Sequence, residues 1–208
     1  MSERTIVFAS SNVGKIRELD DMLKPLNVTV KSQVDFNVEP LPETAVTFVE
    51  NAIVKARHAA SQTGLAAIAD DSGLEVDALN GAPGLYSARF AAMNNAGSGD
   101  ADNNAFLLEK LADVADEKRT ARFVSVVVYL RHPDDPSPII TSGFWQGRIL
   151  HEPVSGEGFG YDPVFFNNDT KQAASLMSKT EKNALSHRGK AVRAMLDILT
   201  TRYSPVSP

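Results

Sequence analysis

With 208 residues and a net charge of −5, the chain can bury a large core, either as one domain or as two lobes sharing a sheet. Its acidic balance argues against a nucleic-acid polymer, whose phosphates demand a broad basic face, but allows a small polyanion where a few cations converge. The absence of cysteine excludes a disulfide framework, thiolate catalysis and a cysteine-based zinc site.

Ile6 to Ala9 reads as a short buried strand. It breaks into a small polar loop of Ser10, Ser11, Asn12, Val13, Gly14 and Lys15, after which Ile16, Leu19, Met22 and Leu23 recur at helical spacing. A strand, a tight loop, a lysine and a helix start make an anion site. The first-turn N–H groups point outward, the helix dipole favours negative charge, and Lys15 adds a full positive charge. The obvious ligand is a phosphate chain. A Walker A loop is excluded, because Ala9 stands where that motif needs glycine and Ile16 where it needs serine or threonine. Any magnesium ligand must come from elsewhere.

Val28 to Val30 reads as the next strand. Asp35 to Thr44 is a loop rich in proline and acid, whose Glu39 and Glu43 can assist a metal or simply complement the following helix. Thr47 and Glu50 form a capping-box pair, Phe48, Ala52, Ile53, Ala56 and Ala60 mark a buried helical face to about Gln62, and Gly64 stops it. Ala66 to Ala69 reads as a short buried strand ending at Asp70-Asp71-Ser72-Gly73, and Leu74 to Asp77 as a partly exposed one. Paired aspartates at the end of a buried strand lie where open α/β sheets bind ligands. Magnesium takes one or two such carboxylates and leaves its other positions to water and phosphate.

A turn cluster follows at Asn80 to Gly84, then a small polar stretch from Asn94 to Ala101 that reads as a mobile loop, and a helix from Asn104 to Leu111. Arg122 to Leu130 and Ile139 to Leu150 read as long strands in an antiparallel hairpin through His132 to Pro136. The glycine-rich run from Gly156 carries Phe159, Gly160, Tyr161 and Asp162, with a strand from Pro163 to Phe166 behind it. Its aromatics can stack on a base or tuck into the core. One helix begins near Lys179 and carries Lys182; another begins at an N-cap Ser186, places His187 and Arg188 in its first turn and runs to about Thr201. Ser204 to Pro208 reads as a frayed tail. The fold class is α/β with a mixed sheet. No apolar run is long enough for a bilayer and no signal-peptide pattern opens the chain, so a cytoplasmic protein away from membranes is the expectation.

Six segments stand in a telling order: Ser-x-Asn-x-x-Lys at Ser10, Asn12 and Lys15; Thr-Phe-Val-Glu-Asn-Ala from Thr47; Ala-Asp-Asp-Ser-Gly-Leu from Ala69; Gly-Ala-Pro-Gly-Leu-Tyr-Ser-Ala-Arg from Gly81 to Arg89; Gly-Phe-Gly-Tyr-Asp-Pro from Gly158; and Ser-His-Arg-Gly from Ser186. Together they resemble the inosine/xanthosine triphosphate pyrophosphatases of the RdgB type, from Ile6 to about Leu199. The resemblance implies a two-lobed α/β fold around a long mixed sheet, with the site in a cleft between lobes and a homodimeric assembly. It also implies magnesium-dependent (Mg2+) hydrolysis of deaminated purine nucleoside triphosphates, such as dITP, ITP and XTP, to the monophosphate and pyrophosphate. Carried onto this chain, Ser10 to Lys15 would hold phosphate. Asp71 would act as general base and metal ligand, joined at the metal by Glu43, and Lys15 would be its catalytic partner. Ser72, Arg89, Phe159 to Asp162, Lys182, His187 and Arg188 would contact the rest of the substrate. The chain departs from the family pattern at Ala45, where glycine is usual, and at Pro42-Glu43, where adjacent acids are common.

Hydrolysis at the α-phosphorus needs an in-line water, charge neutralisation and a stabilised leaving group, and no serine or cysteine nucleophile. Arg188 only donates, so it suits the C6 carbonyl of hypoxanthine or xanthine and mismatches the amino group of adenine. Guanine shares the C6 carbonyl, so its C2 amino group must be disfavoured elsewhere, with the Phe159 to Asp162 loop the first candidate. Two other readings fit the residues: a different phosphate-chain enzyme, including one acting on modified pyrimidine triphosphates, and a non-catalytic nucleotide sensor.

Overall fold

The computed structural model describes residues 4–23 and 28–203; the expected tail at 204–208 lies outside them. Strands β1 (Arg4–Phe8), β2 (Val28–Ser32), β3 (Ala66–Val76), β4 (Thr120–Leu130), β5 (Ile139–Ile149), β6 (Phe165–Asn167) and β7 (Gln172–Ala173) form one seven-stranded sheet in the order β2-β1-β3-β4-β5-β6-β7. β1 runs parallel to both β2 and β3, while β6 is antiparallel to β5 and β7. The sheet is therefore mixed. The helices are α1 (Val13–Leu23), α2 (Phe48–Thr63), α3 (Phe90–Met93), α4 (Asp100–Lys110), α5 (Lys179–Leu185) and α6 (His187–Tyr203). None is long and apolar enough to cross a membrane among the described residues.

The chain divides into two compact units. One comprises residues up to 71, 125–143 and 188 onward; the other comprises 72–124 and 144–187. In the first, side chains alternate across β1 and β3 with the period of two that a strand imposes. Ile6, Phe8 and Ile68 pack with Leu19 and Leu23 of α1 and with Ala191, Val192 and Met195 of α6. Val7, Ala9, Ala67 and Ala69 pack with Ala52, Ala56, Ala59 and Ala60 of α2. The alanine stripe lets α2 lie close to the sheet. Thr47 caps α2 by accepting from the Glu50 N–H, and Gly64, in the left-handed region at φ 68°, closes it. The second unit has its own core around Leu74, Leu107, Phe123, Trp145, Phe165 and Met177.

Besides shifts of one or two residues at several strand ends, four boundaries that bear on the candidate site differ from the sequence expectation. Asp70 to Gly73 do not end a strand: β3 runs unbroken through them to Val76. Acids and glycine normally punctuate a chain, but here the aspartates find cations from elsewhere in the chain, Lys15 and Arg188 for Asp70 and Lys55 for Asp71. Gly73 is needed because a Cβ there would fall on the Gly84 carbonyl oxygen. α1 begins at Val13, so Gly14 and Lys15 lie inside its first turn rather than in the loop; Asn12 Oδ1 accepts from the Lys15 N–H at 3.1 Å and sets that start. α4 begins at Asp100, and Asp102 turns back to accept from the Ser98 N–H at 2.7 Å. The strand expected from Pro163 begins only at Phe165, because the N–H groups of Val164 and Phe165 close a turn on the Tyr161 carbonyl. The short strand β7 was not anticipated.

Candidate active site

The parallel register of β1 and β3 sets Phe8 beside Ile68, and the Ala9 N–H donates to the Ile68 carbonyl at 2.8 Å. The chain thus leaves β1 next to Asp70 and enters α1. Within β3 the pleat sends Asp70 to the face covered by α1 and α6, and Asp71 to the face covered by α2. The two carboxylates expected side by side therefore have separate surroundings.

Asp70 is a buried anion among cations. Its Oδ2 meets Lys15 Nζ at 2.7 Å and the Nε and Nη2 of Arg188 at 3.2 Å each, and Ser125 Oγ donates to Oδ1 at 2.5 Å. Arg188 Nη1 continues to Glu18 Oε2 at 2.5 Å. Burial alone would raise the Asp70 pKa, but Arg188 and Lys15, with the bonds from Lys15 and Ser125, hold it well below the usual carboxylate range. Burial lowers the Lys15 pKa, Asp70 opposes this, and the charges of Arg188 and Lys55 add to it.

Asp71 faces a different group. Lys55 Nζ, from α2, donates to Asp71 Oδ1 at 2.6 Å, to Glu43 Oε1 at 2.9 Å and to the Asp70 carbonyl at 2.9 Å. Asn51, one turn earlier on α2, donates to Asp71 Oδ2 at 3.3 Å and accepts from the Ala45 N–H at 3.1 Å. That second bond ties the acidic loop to the site. Burial raises the Asp71 pKa to about 6; Lys55 opposes this and the nearby Glu43 carboxylate adds to it. A carboxylate with a pKa there is suited to take a proton near neutral pH. Of the two loop acids, Glu43 is the one brought to Asp71. Glu39 is exposed, and its carbonyl is bonded to His58 Nε2 at 2.9 Å.

Of the expected phosphate loop, Ser10 is half-buried, Ser11, Asn12 and Val13 are exposed, and Gly14 and Lys15 are half-buried. Ser10 Oγ accepts from the Asn12 N–H at 3.1 Å, and Ser32 Oγ donates to the Ser10 carbonyl at 2.8 Å. The loop is held from behind by these bonds, and at the start of α1 the Lys15 N–H is taken by Asn12 Oδ1 and the Ile16 N–H by the Asn12 carbonyl.

In the second unit, Lys182 Nζ bonds Asp162 Oδ2 at 2.7 Å and lies 4.5 Å from the Phe159 ring centroid. Asp162 Oδ2 also accepts from the Phe159 N–H at 2.9 Å, so one buried acid shapes the whole turn. Tyr161 is buried and its hydroxyl donates to the Ser87 carbonyl at 2.8 Å; burial pushes its pKa up. Tyr161 therefore belongs to the core. His187 is buried and stacked on Phe123 at 4.7 Å. Arg188, 3% exposed, does not project from the first turn of α6 as expected, since Asp70 and Glu18 hold its guanidinium. Ser186 precedes α6, and its N–H caps α5 at the Lys182 carbonyl. Ser72 is half-buried on β3, and Arg89 is half-buried over the Tyr86 ring.

Residues 6–198 match the Ham1 family. The chain belongs to that family. It is 50% identical over 194 residues to a dITP/XTP pyrophosphatase of Shigella flexneri, covering 93% of this chain and 97% of the relative. It is 52% identical over 198 residues to a dITP/XTP pyrophosphatase of Thioalkalivibrio sulfidiphilus, covering 95% and 99%. The solved structure of a HAM1 protein from Coxiella burnetii superposes with a TM-score of 0.86 at 44% identity, covering 95% of this chain and 99% of that one.

Within this Ham1 fold, sequence reasoning missed Asn51 and Lys55. They stand four residues apart on α2, beside the alanine stripe, and that spacing next to a face made for close approach is the signal that could have found them. The implied magnesium can be tested against the donors. Among the described residues no group of three or more acids or histidines could hold a metal, but magnesium needs only one or two carboxylates. Glu43 and Asp71 are brought together by the Lys55 ammonium, which bonds one oxygen of each carboxylate. Two carboxylates gathered around a positive charge fit the requirement.

Proposed function

We propose that this Ham1-family chain hydrolyses non-standard purine nucleoside triphosphates, dITP, ITP and XTP, between the α and β phosphates, giving the monophosphate and pyrophosphate. The observation that carries the reading is Asp71: a buried carboxylate, raised towards neutral pH, braced by Lys55 and Asn51 and joined by Glu43. The relatives named dITP/XTP pyrophosphatases support the substrate class. A pure binding module would gain nothing from holding a buried carboxylate with its pKa raised in this way.

Asp71 orients the attacking water and takes its proton. Lys55 and Asn51 fix the direction of that carboxylate, and their bonds leave it little freedom to rotate. Lys15, at the positive end of the α1 dipole, offsets charge developing on the phosphate chain, and such fixed electrostatics supply most of the barrier reduction in phosphoryl chemistry. Glu43 and Asp71 would hold a magnesium ion, which supplies Lewis-acid stabilisation of the leaving pyrophosphate. On the nucleoside side, Phe159 offers an apolar ring face. Lys182 beside it is a donor that suits a C6 carbonyl and mismatches an amino group. Homodimer formation, a cytoplasmic setting and the absence of membrane and nucleic-acid partners enter the proposal from the sequence reading.

The test is pyrophosphate release, with magnesium, from ITP, XTP, ATP, GTP and modified pyrimidine triphosphates. ITP and XTP should exceed ATP in kcat/KM by about 10²-fold or more, because a mismatched buried polar pair at C6 discriminates on that scale, and should also exceed GTP, whose C2 amino group is to be disfavoured by the Phe159 to Asp162 loop. Equal efficiency on all purines would end the selectivity reading, and no release from any would leave the sensor. A second measurement isolates Lys15. Lys15→Ala removes a charge-assisted phosphate contact worth about 1.5–3 kcal/mol. It should weaken triphosphate binding more than monophosphate binding; equal weakening would place Lys15 away from the phosphates.

A further inference from the structure

The second unit holds a pair of polar side chains that neither the motifs nor the chemistry above uses. Asp100 and Asn104 stand one turn apart on α4, on the same side of the helix. Both reach one residue, Gly160. Asp100 Oδ2 accepts from the Gly160 N–H at 2.6 Å, and Asn104 Nδ2 donates to the Gly160 carbonyl at 2.9 Å. Both peptide polar groups of a single glycine are thus gripped from one helix. Gly160 sits at φ 63°, a left-handed conformation that a side chain would resist. The flanking turn is held from its other end by Asp162, through the Phe159 N–H and Lys182.

Asn104 is 6% exposed, and its Oδ1 is buried with no hydrogen-bond partner among the described residues. An orphan buried acceptor is unfavourable, and on the core side of α4, next to Leu107 and Leu108, a leucine would avoid it. Stability alone does not account for asparagine here; the grip on Gly160 does. The helix that carries the grip is itself anchored, since Asn103 accepts from the Ala91 N–H at 2.8 Å and donates to the Ala88 carbonyl at 3.3 Å.

We propose that Asp100 and Asn104 are positioning residues for nucleoside recognition: by clamping Gly160 from α4 they set the pose of the Phe159 ring and of Lys182. This rests on the reading that the Phe159 to Asp162 loop receives the nucleoside. The clamp touches no phosphate, so its loss acts on nucleoside affinity and not on the chemical step.

The test compares Asn104→Leu, Asp100→Ala and Asp100→Asn with the wild type, the last keeping an oxygen that can accept from Gly160. In ITP hydrolysis, Asn104→Leu and Asp100→Ala should raise KM about tenfold with kcat within about threefold, and Asp100→Asn should restore most of the loss. Inhibition by inorganic tripolyphosphate, which has no nucleoside, should be unchanged. The same order should hold for binding of inosine monophosphate by calorimetry. Asn104→Leu should melt no lower than wild type, which keeps the pair testable even where Asp100→Ala folds poorly. Unchanged KM and unchanged monophosphate binding would overturn the clamp alone. Parallel weakening of tripolyphosphate would also overturn it, because the effect would then be global. Wild type that binds inosine monophosphate but releases no pyrophosphate from ITP would overturn the proposed activity, with the calorimetry still deciding the clamp.

Discussion

Asp71→Asn is expected to lower kcat for ITP by roughly 10²–10⁴, the span a positioned general base contributes, while leaving the fold intact. The substitution keeps the shape of the side chain and removes its charge. Oδ1 can still accept from Lys55, which retains Glu43 and the Asp70 carbonyl as partners. Burial already disfavours the ionised Asp71, which offsets the donor–donor contact that the new amide makes with Asn51, so the melting temperature should stay close to that of the wild type. Unchanged stability together with lost turnover is the signature of a side chain kept for chemistry. Turnover near that of the wild type would remove Asp71 from the role of base. A loss of activity that follows a loss of folded protein would make it a structural residue.

The path to Asp71 shows what the sequence can and cannot express. The β1 strand, the capped helix α2 and the apolar face of α1 were legible because each is a local pattern: a short apolar run, a Thr-x-x-Glu start, a repeating apolar face. The run Asp70 to Gly73 was misread because acids and glycine locally spell a turn. What keeps it in a strand is distant. Arg188 lies 118 residues from Asp70, and Lys55 reaches Asp71 from another helix. Their chain separation has no local signature. The same blindness hid Asn51 and Lys55, since polar positions on an amphipathic helix are assigned to solvent by default. Glu43 and Glu39 could not be ranked by composition, because the choice depends on how the Ala45 to Asn51 bond folds the acidic loop against α2. The Gly158 to Asp162 turn was recognised as chemical, but its internal division was not. Tyr161 goes to the core, Asp162 to the turn and Phe159 to the face beside Lys182.

Arg188 tests that lesson most sharply. The sequence suggested that its donors read the C6 carbonyl of the base, which predicts that Arg188→Ala narrows the gap between ITP and ATP. The structure commits those donors to Asp70 and Glu18 in a buried cluster. Removing one partner from a buried charge cluster leaves uncompensated charge and costs about 3–5 kcal/mol. Arg188→Ala should therefore lower the free energy of unfolding by about that amount. It should also reduce kcat/KM on every nucleotide alike, because Asp70 is left to hold Lys15 without its second cation and the phosphate-side charge shifts. Arg188→Lys should recover little of the loss, since a point charge cannot span both carboxylates as a guanidinium fork does. It supplies the same comparison where the alanine variant does not fold. Denaturant melts and kcat/KM for ITP and ATP, measured on the same preparations, decide the matter. A narrowed ATP gap at unchanged stability would return Arg188 to the base. An equal fall on both nucleotides with a large loss of stability would establish it as the anchor that sets Asp70 beneath the phosphate site.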